Sequence, residues 1–161
     1  MRYLLGLDIG TSGTKTALFD ENGQTISTAT YGYDLFQPQA GYAEQNPEDW
    51  WNACVKGISN VIQKAGVQSE DIKGVGLSGQ MHGLVLVDKD YKVIRNSIIW
   101  CDQRTEKECE EITNTIGKER LIQITGNPAL TGFTLSKLLW IRNNEPENYK
   151  KIYKILLPKD Y

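Results

Sequence analysis

The sequence predicts an α/β protein in which helices flank a mixed β-sheet. Three observations support this fold class: three strand patterns joined by tight turns open the chain, one long amphipathic helix follows, and strand patterns then alternate with helical ones. Strands joined by tight turns pair antiparallel, whereas strands joined through a helix pair in parallel, so a sheet that contains both kinds is mixed. The 161 residues suffice for one domain with a substantial core.

The first three elements are predicted strands. An apolar run from Tyr3 reaches Asp8, a turn of glycine and hydroxyl residues follows, and a second run ends at Asp20. A further turn over residues 20–23 leads to residues 24–33, which are rich in Thr, Ile and Tyr. Because β-branched and aromatic residues favour strands and both connections are short, the three runs predict an antiparallel meander.

The fourth element is a predicted helix from Pro47 to about Ala65. Asn46 is a favourable N-cap, Pro47 suits the first turn, and Gly66 supplies the stop. Apolar residues recur along the helix at three- and four-residue steps, which predicts one buried stripe that belongs to the core rather than to a site. The stripe consists of Trp51, Val55, Ile58 and Ile62.

The remainder of the chain alternates between strand and helix patterns. Strands are predicted over residues 72–78, 84–87, 97–100 and 152–157, and helices over residues 103–116, 119–124 and 134–143. Residues 74–79 spell GxGxxG, but a strand-like run follows them and no acidic residue lies at the spacing at which a dinucleotide site binds ribose. A nicotinamide-dependent oxidoreductase is therefore disfavoured.

Composition excludes several other classes of partner. Lys and Arg total 18 against 20 Asp and Glu, and the chain has no basic block of the kind that binds nucleic acid. The apolar run at the N terminus is too short for a signal peptide or a membrane span, so we predict a cytoplasmic protein with no membrane partner. Cys54, Cys101 and Cys109 lack the spacing of a zinc site or a CxxC pair and are expected to be reduced thiols.

The turn between the first two strands has the composition of a phosphate site. Its glycines, Gly10 and Gly13, would let a phosphate approach the backbone N–H groups, and the hydroxyls of Thr11 and Ser12 add hydrogen bonds. Asp8 lies where a hydrated divalent cation could be held. Ordinary hairpin turns use the same residue types, so both interpretations stay open on this segment alone. A Walker-type NTPase is excluded because the GxxxxGK[ST] spacing is absent and the turn enters a strand.

Seven blocks along the whole chain resemble, in the same order, the N-terminal region of the FGGY family of carbohydrate kinases. Within that family, the Gln-Met-His-Gly block at residues 80–83 resembles the branch that phosphorylates D-xylulose more than the glycerol kinases. The seven blocks are residues 6–15, 44–51, 79–83, 100–104, 125–127, 137–140 and 156–161.

The resemblance implies a ribonuclease H-like fold, of the actin and hexokinase class, with a mixed five-stranded sheet. It also implies two such domains that close over ATP and Mg²⁺ in enzymes much longer than this chain. Residues 1–161 are accordingly expected to be a partial N-terminal domain, with the second domain and the general-base aspartate beyond Tyr161. A truncated domain would expose apolar surface, which leaves a homodimer as an open alternative.

The resemblance implies a role for each residue on the phosphate side of the site. Asp8 would orient the hydrated Mg²⁺ on the nucleotide phosphates, and Thr11, Ser12 and Gly13 would hold the phosphates through N–H and O–H groups. Lys15 would either neutralise transferring charge or be a solvated strand lysine, and the sequence leaves both open.

On the sugar side, the resemblance implies that Met81 and His82 contact the ketopentose, with Gln80 as their neighbour. Trp100 and the pair of Asp102 and Arg104 would line the same side of the cleft, although Asp102 has the alternative of capping the following helix. Two other functions stay open: a kinase for glycerol, ribulose or gluconate, and a non-catalytic sugar-binding module.

Overall fold

The computed structural model describes all 161 residues, and they form two compact units. The sheet unit comprises Met1–Asp34, Asn46–Gln80 and Pro158–Tyr161, and the helical unit comprises Leu35–Gln45 and Met81–Leu157. In chain order the elements are β1 (Tyr3–Ile9), β2 (Gly13–Asp20), β3 (Thr25–Gly32), β4 (Glu44–Gln45), α1 (Pro47–Ala65), β5 (Ile72–Gly79), β6 (Val85–Val87), β7 (Ser97–Ile98), α2 (Glu106–Ile116), α3 (Lys118–Thr125), α4 (Thr134–Asn144), α5 (Pro146–Lys151) and β8 (Lys154–Leu156), with single 3₁₀ turns at Ser69–Asp71 and Pro158–Asp160.

The sheet unit contains a four-stranded mixed sheet in the order β3-β2-β1-β5. The β1–β2 and β2–β3 pairs are antiparallel and the β1–β5 pair is parallel, which confirms the meander and the mixed sheet. The expected count of five strands is wrong, because the remaining strands lie in the helical unit. There β6 pairs with β8 and β4 pairs with β7, each over only two or three residues.

The core of the sheet unit lies between α1 and one face of the sheet. Alternate residues of β1 are buried, as the two-residue period of a strand requires, and Leu5 packs with Leu18 of β2 and Val61 of α1. The helix approaches β2 closely at Gly57, where an added Cβ would lie 2.2 Å from Oγ1 of Thr16. A glycine is required at that position because any side chain would force the helix away from the sheet.

The bounds of α1 match the prediction, but its buried face does not. The side chain of Asn46 accepts a hydrogen bond from the Glu48 N–H at 3.2 Å, and Gly66 adopts the left-handed conformation with φ 63°. The predicted buried stripe is wrong at Trp51, which is 57% exposed, and at Val55, which is 49% exposed. Ile58 and Ile62 are half-buried, and Ile58 packs against the core. The contact at Gly57 turns a different face to the sheet, and that face carries Trp50, Ala53, Gly57 and Val61.

The helical unit combines two short strand pairs with α2 to α5. Its core contains Leu84, Leu86, Ile98 and Ile141, so the apolar runs predicted as strands supply much of it. The predicted helices over residues 119–124 and 134–143 are present, each within a residue or so of its predicted ends. The helix predicted from residue 103 begins instead at Glu106, and α5 was not predicted. No helix of the structure combines the length and the apolar character that a membrane span requires.

Candidate functional site

The turn between β1 and β2 is narrow and is held by its own backbone. The N–H of Gly10 donates to the carbonyl of Gly13 at 3.1 Å, and the hydroxyl of Tyr33 donates to the carbonyl of Gly10. An added Cβ on Gly13 would lie 2.7 Å from the carbonyl oxygen of Tyr31, so only glycine fits beside β3. Ser12 is exposed and Thr11 is half-buried, which leaves the hydroxyl-bearing tip of the turn open to solvent.

Asp8 and Lys15 are directly opposite each other across the β1–β2 pair, and both are exposed. On its other side Asp8 is level with Ser78 of β5, so a carboxylate lies between a lysine and a serine on three neighbouring strands. These residues line a shallow depression with a volume of about 410 Å³. Gly6 and Gly76 also line it and, having no side chains, leave it open. The surface beside the carboxylate is therefore accessible to a group as large as a phosphate.

This donor set suits a hydrated magnesium ion that is shared with phosphates. Mg²⁺ prefers oxygen ligands, retains several waters and is commonly bound by one or two carboxylates together with substrate phosphates. Asp8 offers one exposed carboxylate beside an open turn, and the structure contains no group of three or more His, Cys, Asp or Glu side chains that could hold a metal ion by themselves. The arrangement fits metal bound through water better than a closed protein cage.

Gln80 is the last residue of the sheet unit before the chain enters the helical unit at Met81. Its N–H donates to the carbonyl of Ile9 at 2.7 Å, which continues the β1–β5 pairing by one residue. The Gln80 side chain is buried and Met81 is exposed. The structure therefore places Gln80 with the phosphate-side residues Asp8, Thr11, Ser12, Gly13 and Lys15, and places Met81, His82, Trp100 and Asp102 in the helical unit.

His82 is held in an uncommon backbone conformation. Its φ angle of 61° lies in the left-handed region, where a residue other than glycine is uncommon. The imidazole packs against the ring of Phe133 with 4.6 Å between ring centroids, and it borders a mainly apolar pocket of about 310 Å³ in the helical unit. Burial, with the nearby Lys137 charge as a second cause, lowers the pKa of His82. A neutral imidazole offers one donor and one acceptor, the pair that a sugar hydroxyl can use.

Lys137 is fully buried and contacts His82. It was not among the candidate site residues predicted from the sequence. Its ammonium group donates to the carbonyl oxygens of His82 and Gly132, each at 2.7 Å. Burial lowers the pKa of Lys137 to about 8, partly offset by the charge of Asp102. The available signal was its position four residues before Ile141 on one helix, because that spacing places both residues on the same buried face.

Asp102 and Arg104 form a buried ion pair instead of an open sugar-facing pair. The Asp102 carboxylate accepts the Ala43 N–H at 2.6 Å and two guanidinium N–H groups of Arg104 at 2.7 and 3.0 Å. Arg104 also contacts Glu44 at 2.8 Å and stacks on the ring of Tyr42 at 3.7 Å. The helix-cap alternative for Asp102 is wrong, because α2 begins at Glu106 with Thr105 at its N-cap position.

Trp100 lies just before this ion pair and is 45% exposed. An added Cβ on Gly132 would lie 2.7 Å from the Trp100 carbonyl oxygen, so the main chain at Trp100 packs closely against Gly132. The carbonyl of Gly132 also accepts a hydrogen bond from Lys137. The Trp100 side chain is partly exposed to solvent, while its carbonyl packs against Gly132. Buried polar contacts thus position both segments of the predicted sugar side.

Comparisons with known proteins agree on one family. Residues 3–161 match the N-terminal domain of the FGGY family of carbohydrate kinases. The chain is 47% identical over 161 residues to the xylulose kinase of Bacillus subtilis (strain 168). The aligned region covers all of this chain and 32% of that protein.

Two solved structures are similar throughout. The crystal structure of xylulose kinase from Rhodospirillum rubrum has a TM-score of 0.93 and 28% identity, and covers 99% of this chain and 33% of its own. The crystal structure of gluconate kinase from Lactobacillus acidophilus has a TM-score of 0.88 and 30% identity, and covers 96% of this chain and 31% of its own. The chain therefore spans about a third of the length of each of these relatives.

Proposed function

Because this chain belongs to the FGGY family of carbohydrate kinases, we propose that residues 1–161 are the N-terminal domain of an ATP-dependent xylulokinase, which transfers phosphate from ATP to O5 of D-xylulose. The observation that carries the proposal is the half-buried imidazole of His82 in the Gln-Met-His-Gly segment, which has a positive φ and a lowered pKa. The similarity to xylulose kinases over the full chain supports the same sugar.

On the phosphate side, Asp8 would hold a hydrated Mg²⁺ whose charge neutralises the phosphates of ATP. Phosphoryl transfer depends mainly on positioning and charge neutralisation, so an accessible carboxylate beside an open glycine turn has the required chemistry. Thr11, Ser12 and Gly13 would hold phosphate oxygens through their N–H and O–H groups. Lys15, directly opposite Asp8, would add positive charge to the same surface.

On the sugar side, His82 would hydrogen-bond an oxygen of the ketopentose and the exposed Met81 would supply an adaptable apolar wall. Trp100 would present its indole face to the C–H face of the sugar. Gln80 would act as a neighbour of this segment. Asp102 has its carboxylate committed to Arg104 and Ala43, so its contribution would be to position the Trp100 loop.

We propose further that the 161-residue chain binds D-xylulose without phosphorylating it at a normal rate. A kinase of this class needs a carboxylate that accepts the proton of the attacking hydroxyl. By resemblance, none of Asp88, Asp90, Asp102 and Asp160 occupies the motif that supplies this base. A coupled ADP-release assay with ATP, Mg²⁺ and D-xylulose tests this directly, and full turnover by the chain would contradict it.

Calorimetric titration with D-xylulose tests the sugar site. His82→Asn is the preferred variant, because asparagine tolerates the left-handed conformation while the imidazole is removed. We expect binding by the wild type and its loss in the variant. Tyr91→Asn is the matched control, since Tyr91 also has a positive φ and lies in the same unit outside the proposed site. Equal binding by wild type and His82→Asn would overturn the sugar-site assignment.

The similarity to a gluconate kinase makes gluconate a second candidate substrate. The same titrations with gluconate, ribulose and glycerol separate these substrates. If the chain binds gluconate more tightly than D-xylulose, the second candidate replaces the first. If it binds none of the four compounds, the sugar-site assignment fails and the non-catalytic module stays the open alternative.

A further inference from the structure

We propose that Lys137 is a positioning residue for the sugar site: its buried ammonium group fixes the main chain of His82 and of the segment that carries Phe133. This inference rests on the proposed function for its consequence on sugar binding. The positioning itself depends only on contacts within the helical unit.

The Lys137 ammonium group makes two main-chain contacts. It donates to the carbonyl of His82 at 2.7 Å, and the hydroxyl of Thr134 donates to the same oxygen at 3.3 Å. Two donors on one carbonyl fix the orientation of the peptide that follows His82. Because a histidine is disfavoured at φ 61°, such external contacts are what keep the residue in that conformation.

The second contact fixes the partner of the imidazole. Lys137 also donates to the carbonyl of Gly132 at 2.7 Å, and the next residue is Phe133, whose ring lies 4.6 Å from the imidazole. The same side chain therefore holds both members of the ring pair through their main chains. Loss of the ammonium group would release the two rings together, which a contact with either residue alone would not do.

Burying an ammonium group costs free energy, because the charge is removed from water. An apolar side chain of similar length would pack there without the cost of removing a charge from water. Lys137 is nevertheless fully buried and bonded to main-chain carbonyls, while Asp102, Arg104 and Cys101 are the other titratable groups whose charges act on it. These contacts indicate that the Lys137 ammonium group positions the main chain at His82 and Gly132.

The test uses the 161-residue chain and the nuclear magnetic resonance signals of its single histidine. Lys137→Met keeps the length of the side chain and removes both donors. Ile141→Ala is the matched control, because Ile141 is equally buried on the same helix but packs in the apolar core with Leu84, Leu86 and Ile98. Thr134→Val removes only the weaker donor to the His82 carbonyl. Each variant is measured for thermal unfolding, His82 ring shifts, His82 pKa and D-xylulose affinity.

We expect Lys137→Met to lose the ring-current shift that Phe133 imposes on His82, to raise the pKa of His82, and to weaken D-xylulose binding between about tenfold and a hundredfold. Ile141→Ala should lower the unfolding temperature while leaving the His82 signals unchanged. Unchanged His82 signals in folded Lys137→Met, or the same changes in Ile141→Ala, overturn the proposal.

Two remaining outcomes are also decisive. If Lys137→Met does not fold, Thr134→Val decides: a smaller change of the His82 shifts in the same direction supports the positioning role, and unchanged shifts overturn it. If the wild type shows no D-xylulose binding, the proposed function fails, while the ring shifts and pKa of His82 still decide the positioning role.

Discussion

Gly13 closes the turn that we assign to the nucleotide phosphates, and the structure explains its identity. The carbonyl of Tyr31 lies where a Cβ would be, at 2.7 Å. We expect Gly13→Ala to lower the free energy of unfolding by about 1–3 kcal/mol, because the obstacle is backbone and cannot rotate away. Urea unfolding measures the loss.

Gly76 offers the control for this substitution. Gly76 lies on β5 of the same sheet, and a Cβ added there would be 3.9 Å from the nearest atom, the carbonyl oxygen of Leu5. Gly76→Ala should therefore leave stability within about 0.5 kcal/mol of the wild type. A loss at Gly76 as large as that at Gly13 would show that any alanine in this sheet is destabilising, and the close approach to Tyr31 would not be the cause.

Lys137 makes a specific prediction about stability and pH. Its pKa is about 8 in the folded protein, below its ordinary value of 10.5. Between these two values the unfolded chain holds a proton that the folded chain has lost, so this residue makes unfolding harder as pH rises above 8. The slope from one such group is at most about 1.4 kcal/mol per pH unit.

The measurement compares wild type with Lys137→Met in urea unfolding at pH 7, 8 and 9. Taking the difference between the two proteins removes the contributions of Cys54 and Cys109, whose pKa values burial raises and which titrate in both. Both proteins also carry Cys101→Ser, because the charges of Cys101 and Lys137 act on each other. We expect the stability of the wild type to increase relative to the variant over this range. A difference independent of pH would contradict the lowered pKa of the lysine.

Sequence indicated some site residues and missed others for a physical reason. Asp8 and His82 lie in short local motifs, where composition and order are visible directly. The cap alternative for Asp102 failed because its partners, Ala43 and Arg104, include a residue 59 positions away in the chain. Lys137 was missed for the same reason, since its contact with His82 spans 55 positions and no local pattern encodes it.

At the scale of elements, α1 shows which features of a helix are local. Its ends were predictable because Asn46 and Gly66 act on the residues beside them. Its buried face was not, because the close approach of Gly57 to Thr16 decides which side meets the sheet, and that contact is between two elements. The apolar stripe through Trp51 and Val55 instead borders a groove of about 250 Å³.

Two adjacent tryptophans on α1 test this assignment. Trp50 is 1% exposed and Trp51 is 57% exposed. We expect Trp50→Ala to lower the free energy of unfolding by about 3–5 kcal/mol, because it empties part of the core, and Trp51→Ala to cost less than about 1 kcal/mol. Chemical unfolding of the two variants provides the comparison. Equal losses would place both indoles in the core and contradict the observed face of the helix.

At the scale of the whole molecule, β5 is an edge strand with exposed apolar side chains. It pairs only with β1, and Val75 and Leu77 are each more than half exposed. Unpaired apolar edges promote association between chains. We therefore expect the 161-residue chain to self-associate at high concentration, and Leu77→Lys to reduce the association, as measured by sedimentation velocity.

Ile26 is the control for the edge prediction. It is an exposed apolar residue on β3, the strand at the opposite edge of the same sheet. Ile26→Lys adds the same charge and should leave the association unchanged. If Ile26→Lys and Leu77→Lys reduce association equally, added charge and not the β5 edge is responsible. A wild type that stays monomeric at every concentration would contradict the prediction itself.

The path of the chain between its two units limits how this protein can be dissected genetically. The backbone crosses from one unit to the other after residues 34, 45, 80 and 157, so each unit is assembled from separate stretches of sequence. Cutting the gene at any one of these points divides at least one unit between the two products. Neither unit can be cloned as an uninterrupted segment, and expressing the sheet unit or the helical unit alone would require new linkers that rejoin its stretches.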